Sequence, residues 1–244
     1  MDVIKIDLKD VCINFKVYNT EKRIFKRYIL DKIFKKKQND LTNINAIQNI
    51  NLSLVAGDRL GIIGKNGSGK TTLLRVMSGI YEPDRGTINI QGKIKNVLEV
   101  NSSGQMEDTV ENNILLIGLL HGYKKEEILK KKEEIINFSG LRDFLKLPLI
   151  SCSTGMQLRL LFSTLYHFDS DIYIIDEFIS TGDKEFQEKG LSLIKKYTSN
   201  KILVFASHDL NLIKKECNKL TILDRGKQIY YGDVEKGISL YETL

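Results

Sequence analysis

Nine residues, GKNGSGKTT from Gly64 to Thr72, constrain this chain more than any other stretch, because they match G-x-x-x-x-G-K-T with Gly64, Gly69, Lys70 and Thr71 at the fixed positions. Before them run Leu60, Gly61, Ile62 and Ile63, which read as a short buried strand. After them Leu73, Leu74, Val76 and Met77 recur at helical spacing until Gly79 supplies a C-terminal stop. A strand, a glycine-rich loop and a helix in that order suit a bound polyphosphate. Gly67 and Gly69 clear side chains from the approach, and successive N–H groups at the helix N-terminus face the anion. Asn66, Ser68 and Thr72 complete the ligand-facing loop. Lys70 brings a point charge to the β- and γ-phosphates, and Thr71 offers its hydroxyl to Mg²⁺.

Two further strand ends carry chemistry. Ile172 to Ile175 form an apolar run ending in Asp176 and Glu177, where a parallel strand delivers its C-terminal end to a ligand crevice. Asp176 is expected to hold Mg²⁺ through water and Glu177 to polarise the attacking water. Two acids at a strand end are often merely solvated, but the phosphate loop upstream weighs against that here. The run Ile202 to Ala206 ends in Ser207, His208 and Asp209, and Leu210, Leu212 and Ile213 then open a helix. His208 either caps that helix or reaches the γ-phosphate.

Phosphate loops serve many enzymes, so the discriminating stretch lies elsewhere, in CSTGMQLRL from Cys152 to Leu160. Ser153 and Gly155 open a helix whose apolar face is Leu158, Leu161, Phe162 and Leu165, and its N-terminus is a second anion site, this one without a lysine. With those residues in place the sequence resembles the ATP-binding cassette (ABC) ATPases. Their order of phosphate loop, signature loop, acidic strand, D-loop and switch histidine falls here at Gly64–Thr71, Ser153–Met156, Ile172–Glu177, Ser180–Asp183 and His208. The words LIGLLHGYKKEEI, DEFISTGDKEFQEK and SHDLNLIKKECNKLTILDRGKQIYYGD look, more narrowly, like the exporters of polysaccharide, O-antigen, capsule and teichoic acid.

The resemblance implies an α/β fold, an ABC-type P-loop nucleotide-binding domain with a RecA-like core, an antiparallel β subdomain and a helical signature subdomain. It implies ATP and Mg²⁺ as ligands, and a head-to-tail homodimer in which each ATP lies between one chain's phosphate loop and its mate's Ser153, Gly155 and D-loop Asp183. A membrane-spanning permease is the implied partner, placing the chain at the cytoplasmic face of the cell membrane. The signature departs from the family's L-S-G-G-Q, since Thr154 puts a β-branched side chain at a small-residue position. Glu99 is taken as the Q-loop residue on the metal side, with Gln105 as the other candidate. Phe15 is taken as the aromatic that stacks on adenine, Tyr18 being second and an ordinary core aromatic the plain alternative.

The remainder of the 244 residues reads as one domain over 1–244, with a basic insertion at about 19–46 and a helical subdomain at about 105–168. The insertion holds eight Lys/Arg and two acids between Glu21 and Lys37, an excess equal to the +6 of the whole chain. Its apolar residues do not sort onto one helical face. Three readings stand for residues 20–45: a solvated surface, contact with anionic lipid headgroups, and contact with an anionic part of the substrate or the partner chain. No nucleic acid is expected, because no recognition motif accompanies the basic residues.

Cys12, Cys152 and Cys217 have neither disulfide nor zinc spacing, which suits a reducing compartment. The N-terminus lacks the apolar core of a signal peptide, and no apolar run is long enough for a span, so another chain is expected to cross the membrane. About 36 residues follow His208, too few for a carbohydrate-binding domain, so substrate choice is expected to rest with the permease. Two rival classes remain: an ABC ATPase without a transport role, soluble or regulatory, and a cassette serving a different substrate.

Overall fold

The computed structural model describes residues 3–18, 41–97, 104–176 and 184–244. Glu99, Glu177, Asp183 and residues 19–40 of the basic segment lie outside them. The first elements in chain order are β1 (Lys5–Tyr18), β2 (Leu41–Val55), β3 (Arg59–Ile63), α1 (Lys70–Met77), β4 (Arg85–Gln91) and β5 (Ile94–Val97). Helices α2 (Val110–Leu120), α3 (Lys125–Ser139) and α4 (Thr154–Tyr166) follow. The chain closes with β6 (Ile172–Asp176), α5 (Lys184–Tyr197), β7 (Ile202–Ala206), α6 (Leu210–Glu216), β8 (Lys219–Asp224), β9 (Lys227–Asp233) and α7 (Val234–Tyr241).

Among the described residues nine strands make one sheet in the order β4-β1-β2-β9-β8-β3-β7-β6-β5. Its centre is parallel: β3 pairs with β7 and β8, and β6 with β5 and β7. Its flank is antiparallel, with β1 between β2 and β4. The continuous apolar runs are explained by burial on both faces. Ile172 and Ile174 of β6 and Ile202, Val204 and Ala206 of β7 join one apolar cluster, whereas Tyr173, Ile175, Leu203 and Phe205 join the other. Strand β2 begins at Leu41, with Leu41 to Ile44 paired in register against Tyr18 to Phe15. Residues 41–46, which the sequence groups with the basic insertion, are therefore strand.

Each face of the sheet is covered by different helices. On one side α1 buries Leu73, Leu74, Val76 and Met77 against β2, β6 and β7, and Gly79 stops it at φ +72° with its N–H donating to the Val76 carbonyl. On the other side lie α2 to α4. Thr109 caps α2 by accepting from the Asn112 N–H, and Ser153 caps α4 by accepting from the Met156 N–H. The fully buried Asn113 staples the entry to this layer, exchanging hydrogen bonds with the Gln105 main chain at 2.8 and 2.9 Å.

A lysine also lies in this layer. Lys95 of β5 is buried beneath Tyr123, Tyr166 and Tyr173 and donates to the Phe168 carbonyl, and burial pushes its pKa down to about 7.

Glu111 of α2 ties the helical layer together, receiving Lys132 of α3 at 2.6 Å and also Lys146. These hydrogen bonds, first Lys132 and then Lys146, hold its carboxyl down to about 2, from an ordinary 4.5. A lowered folded-state pKa contributes stability that is full above the unfolded value and is lost as pH falls through the folded one. Glu111→Gln is therefore expected to melt below wild type at pH 7 in low salt, with the gap narrowing below about pH 4.5 and closing near pH 2. Paired thermal melts across that range measure it; a gap that persists unchanged at pH 2 would assign the effect to something other than the carboxylate.

The phosphate-loop strand is anchored at its far end. Arg59, at the start of β3, donates through Nη2 to Glu216 Oε2 at 3.0 Å, through Nη1 to Thr198 Oγ1 at 3.1 Å, and also to the Glu216 carbonyl. Lys195 of α5 pairs with the other Glu216 oxygen at 3.0 Å. Midway along β3, Gly61 lets α6 lie close on the strand, since a Cβ there would meet Ile213 Cγ2 at 2.8 Å. All three cysteines are free thiols; burial pushes Cys217 up to about 12 and raises Cys152.

Candidate functional site

The cleft lies at the C-terminal edge of the parallel strands, where β3 gives way to α1. Three glycines with positive φ shape the turn: Gly64 at 152°, Gly67 at 77° and Gly69 at 105°. Two are held by close packing. A Cβ on Gly64 would meet the Leu223 carbonyl oxygen at 2.3 Å, and one on Gly69 the Ala46 carbonyl oxygen at 2.7 Å. Gly67 differs, facing open space with nothing within 4 Å. The cleft itself holds about 580 Å³ and is lined by the loop from Asn66 to Thr72, by Phe15 and by Asp176. Ile44, Asn45 and Ala46 of β2 form the rest of its wall, a contribution that sequence reading missed.

Lys70 is 7% exposed, and its Nζ donates to the Gly64 carbonyl at 2.8 Å and the Lys65 carbonyl at 3.4 Å. His208 Nε2 lies 3.4 Å from the same Nζ. The helix cap after β7 is Asp209, whose carboxylate accepts from the Asn211 and Leu212 N–H groups. The capping part that the sequence left open for His208 is thus taken by Asp209. Thr71 Oγ1 donates to Asp176 Oδ2 at 2.8 Å, bringing the two metal-side oxygens expected from separate motifs together at the cleft.

The residues fit a polyphosphate and a hard cation. Gly67 leaves space where a side chain would stand, and Ser68 Oγ is buried without a hydrogen-bond partner among the described residues. Thr71 and Asp176 offer oxygen donors of the kind Mg²⁺ takes, with phosphates and waters filling the remaining positions.

Ser153 and Gly155 do not line this cleft; they stand at the N-terminus of α4. Thr154 is exposed. Gln105 does not line the cleft either, and its side-chain amide donates to Glu107 Oε2 at 2.8 Å.

A mixed sheet with a phosphate loop at its parallel edge, an acidic strand end beside it and a histidine against its lysine defines a P-loop nucleotide-binding ATPase. The ABC transporter family matches residues 47–180, more than half of the chain, and the protein belongs to that family. The O-antigen export system ATP-binding protein RfbB of Myxococcus xanthus is 36% identical over 91% of this chain, which spans about half (52%) of that relative. RfbE of Yersinia enterocolitica, named for the same kind of system, is 35% identical, with 89% of this chain and 93% of the relative covered. The teichoic acids export ATP-binding protein TagH of Staphylococcus haemolyticus is 30% identical over 99% of this chain and 89% of its own length. Among solved structures, the dimeric post-hydrolysis state of the ATP-binding cassette MJ0796 with ADP and Pi superposes with a TM-score of 0.73 at 21% identity, covering 94% of this chain and 98% of that one. That likeness speaks to the fold.

Proposed function

We propose that this chain, one domain over 1–244, binds and hydrolyses ATP with Mg²⁺ as the motor subunit of an exporter for a lipid-linked polysaccharide such as O-antigen, capsule or teichoic acid. The 2.8 Å contact of Thr71 with Asp176 carries the reading furthest, because it joins the phosphate loop to the acidic strand in one metal-binding corner. The family and the export roles in the relatives' names support the transport assignment.

Within the cleft Asn66 to Thr72 wrap the phosphates, Phe15 faces the base, and Lys70 with His208 meets the γ-phosphate. Thr71 and Asp176, with Glu99 as the expected Q-loop ligand, would hold Mg²⁺, which would supply charge neutralisation to the phosphates. Glu177 orients the attacking water. Two chains pair head to tail, Ser153, Gly155 and Asp183 of each closing the other's site. Among the described residues no helix is long and apolar enough to cross a membrane. The export roles in the relatives' names support work from the cytoplasmic face on a separate permease, with the basic side chains that the sequence carries in 20–45 contacting anionic lipid or substrate.

Affinity purification of the tagged chain from detergent-solubilised membranes tests the transport assignment. The expected result is recovery of a polytopic membrane protein and faster ATP turnover when the two are reconstituted together. Recovery with ribosomes or nucleic acid, and turnover indifferent to any membrane partner, would overturn it in favour of a soluble or regulatory ATPase.

A further inference from the structure

We propose that Tyr81, held by Arg75, fixes the orientation of Phe15 and so governs recognition of the nucleoside end of the ligand; this rests on reading the cleft as a nucleoside-triphosphate site. Phe15 is 36% exposed on the cleft wall, and its ring meets Tyr81 edge to face, with centroids 5.5 Å apart and planes at 72°. Edge-to-face pairs of this kind hold beyond the area they bury. Tyr81 is itself gripped on several sides. Its hydroxyl accepts from Arg75 Nη1 at 2.8 Å, the Arg75 guanidinium lies 5.6 Å from its ring centroid, and its backbone N–H donates to the Arg75 carbonyl at 3.3 Å.

Arg75 sits in the last turn of α1, the helix that Lys70 begins. Phosphate loop and aromatic wall are thus mounted at opposite ends of one rigid element. The same connecting segment also fixes the strand that carries Phe15: Asp84 Oδ2 accepts from the Asn14 N–H at 2.6 Å, and the Asp84 N–H donates to the Cys12 carbonyl at 3.0 Å. Segment 78–84 is therefore a bracket that holds both the backbone beside Phe15 and the Phe15 ring. Tyr81 acts through Phe15, as a positioning residue.

Calorimetric titration with ATP and, separately, with inorganic tripolyphosphate tests the proposal, since the second probe has no base. Tyr81→Ala is expected to weaken ATP binding by about threefold to tenfold while tripolyphosphate binding stays within about twofold of wild type. In steady state the KM for ATP should rise with kcat kept. Tyr81→Phe retains the ring and should stay closer to wild type than Tyr81→Ala. Because Tyr81 works through Phe15, adding Tyr81→Ala to Phe15→Ala should cost little more than Phe15→Ala alone. Unchanged ATP affinity in Tyr81→Ala, or equal losses for both probes, would overturn the proposal. A wild-type chain that binds neither probe would remove the nucleotide reading itself, and the proposal with it.

Discussion

Replacing Lys70 with alanine is expected to cut ATP turnover by about a hundredfold to a thousandfold, the range seen when one preorganised charge-stabilising group is removed from a reacting centre. The side chain is 7% exposed and its ammonium lies 3.4 Å from His208, so the charge is held close to the second group expected at the γ-phosphate. Alanine leaves the loop's N–H groups in place but takes away the full positive charge. ATP binding should weaken together with turnover, because the ground-state phosphates lose the same contact. The fold should survive: the Gly64 and Lys65 carbonyls lose a donor, at about 1 kcal/mol for a typical hydrogen bond. Phosphate-release assays, ATP titration and a thermal melt on the same preparation measure the three effects. Turnover within about tenfold of wild type would take Lys70 out of the reaction.

Glu177→Gln should act differently, lowering turnover by about a thousandfold while leaving ATP binding intact. Residue 177 directly follows Asp176, whose partner across β6–β7 is Ala206 and whose carboxylate receives Thr71. On the proposed reading, the residue after that strand end supplies the water-orienting carboxylate. Glutamine keeps the volume and loses the basic oxygen, so the nucleotide enters and the bond is not cut. The ATP-loaded state should then accumulate as a dimer, visible by light scattering with Mg-ATP and absent in Lys70→Ala. Ordinary turnover in Glu177→Gln would assign the water to another group. A variant that stays monomeric with Mg-ATP would count against the head-to-tail pairing.

Local chemistry made much of the site legible before any fold was in view. Gly64 to Thr72, Asp176 and His208 sit on short runs whose residue types suggest a phosphate site, and the sheet places Lys70 beside His208 and Thr71 beside Asp176 at one edge. Contacts set by distant pairing were not legible. Ala46 enters the cleft wall where Gly69 and Gly226 both approach its carbonyl, beside the parallel pairing of β2 with β9 at Gln48 and Lys227. Lys95, in the short strand IKNV, carries no local sign that three tyrosines from elsewhere in the chain close over it. The 5.5 Å approach of Tyr81 to Phe15 is likewise set by the fold, with 65 residues of chain between them. The part of Ser153 and Gly155 depends on a second chain, which one sequence states only through resemblance.

One detail of the loop bears on what it admits. The Lys70 ammonium rests on two carbonyl dipoles of its own loop, so an arriving anion has to compete with them for it. Charge density settles that contest: a nucleoside or a singly charged ester offers too little to draw the ammonium away, whereas a polyphosphate presents several ionised oxygens at once. Selection by valence is the expected consequence, and the same carbonyls would receive the cation again once the terminal phosphate has left.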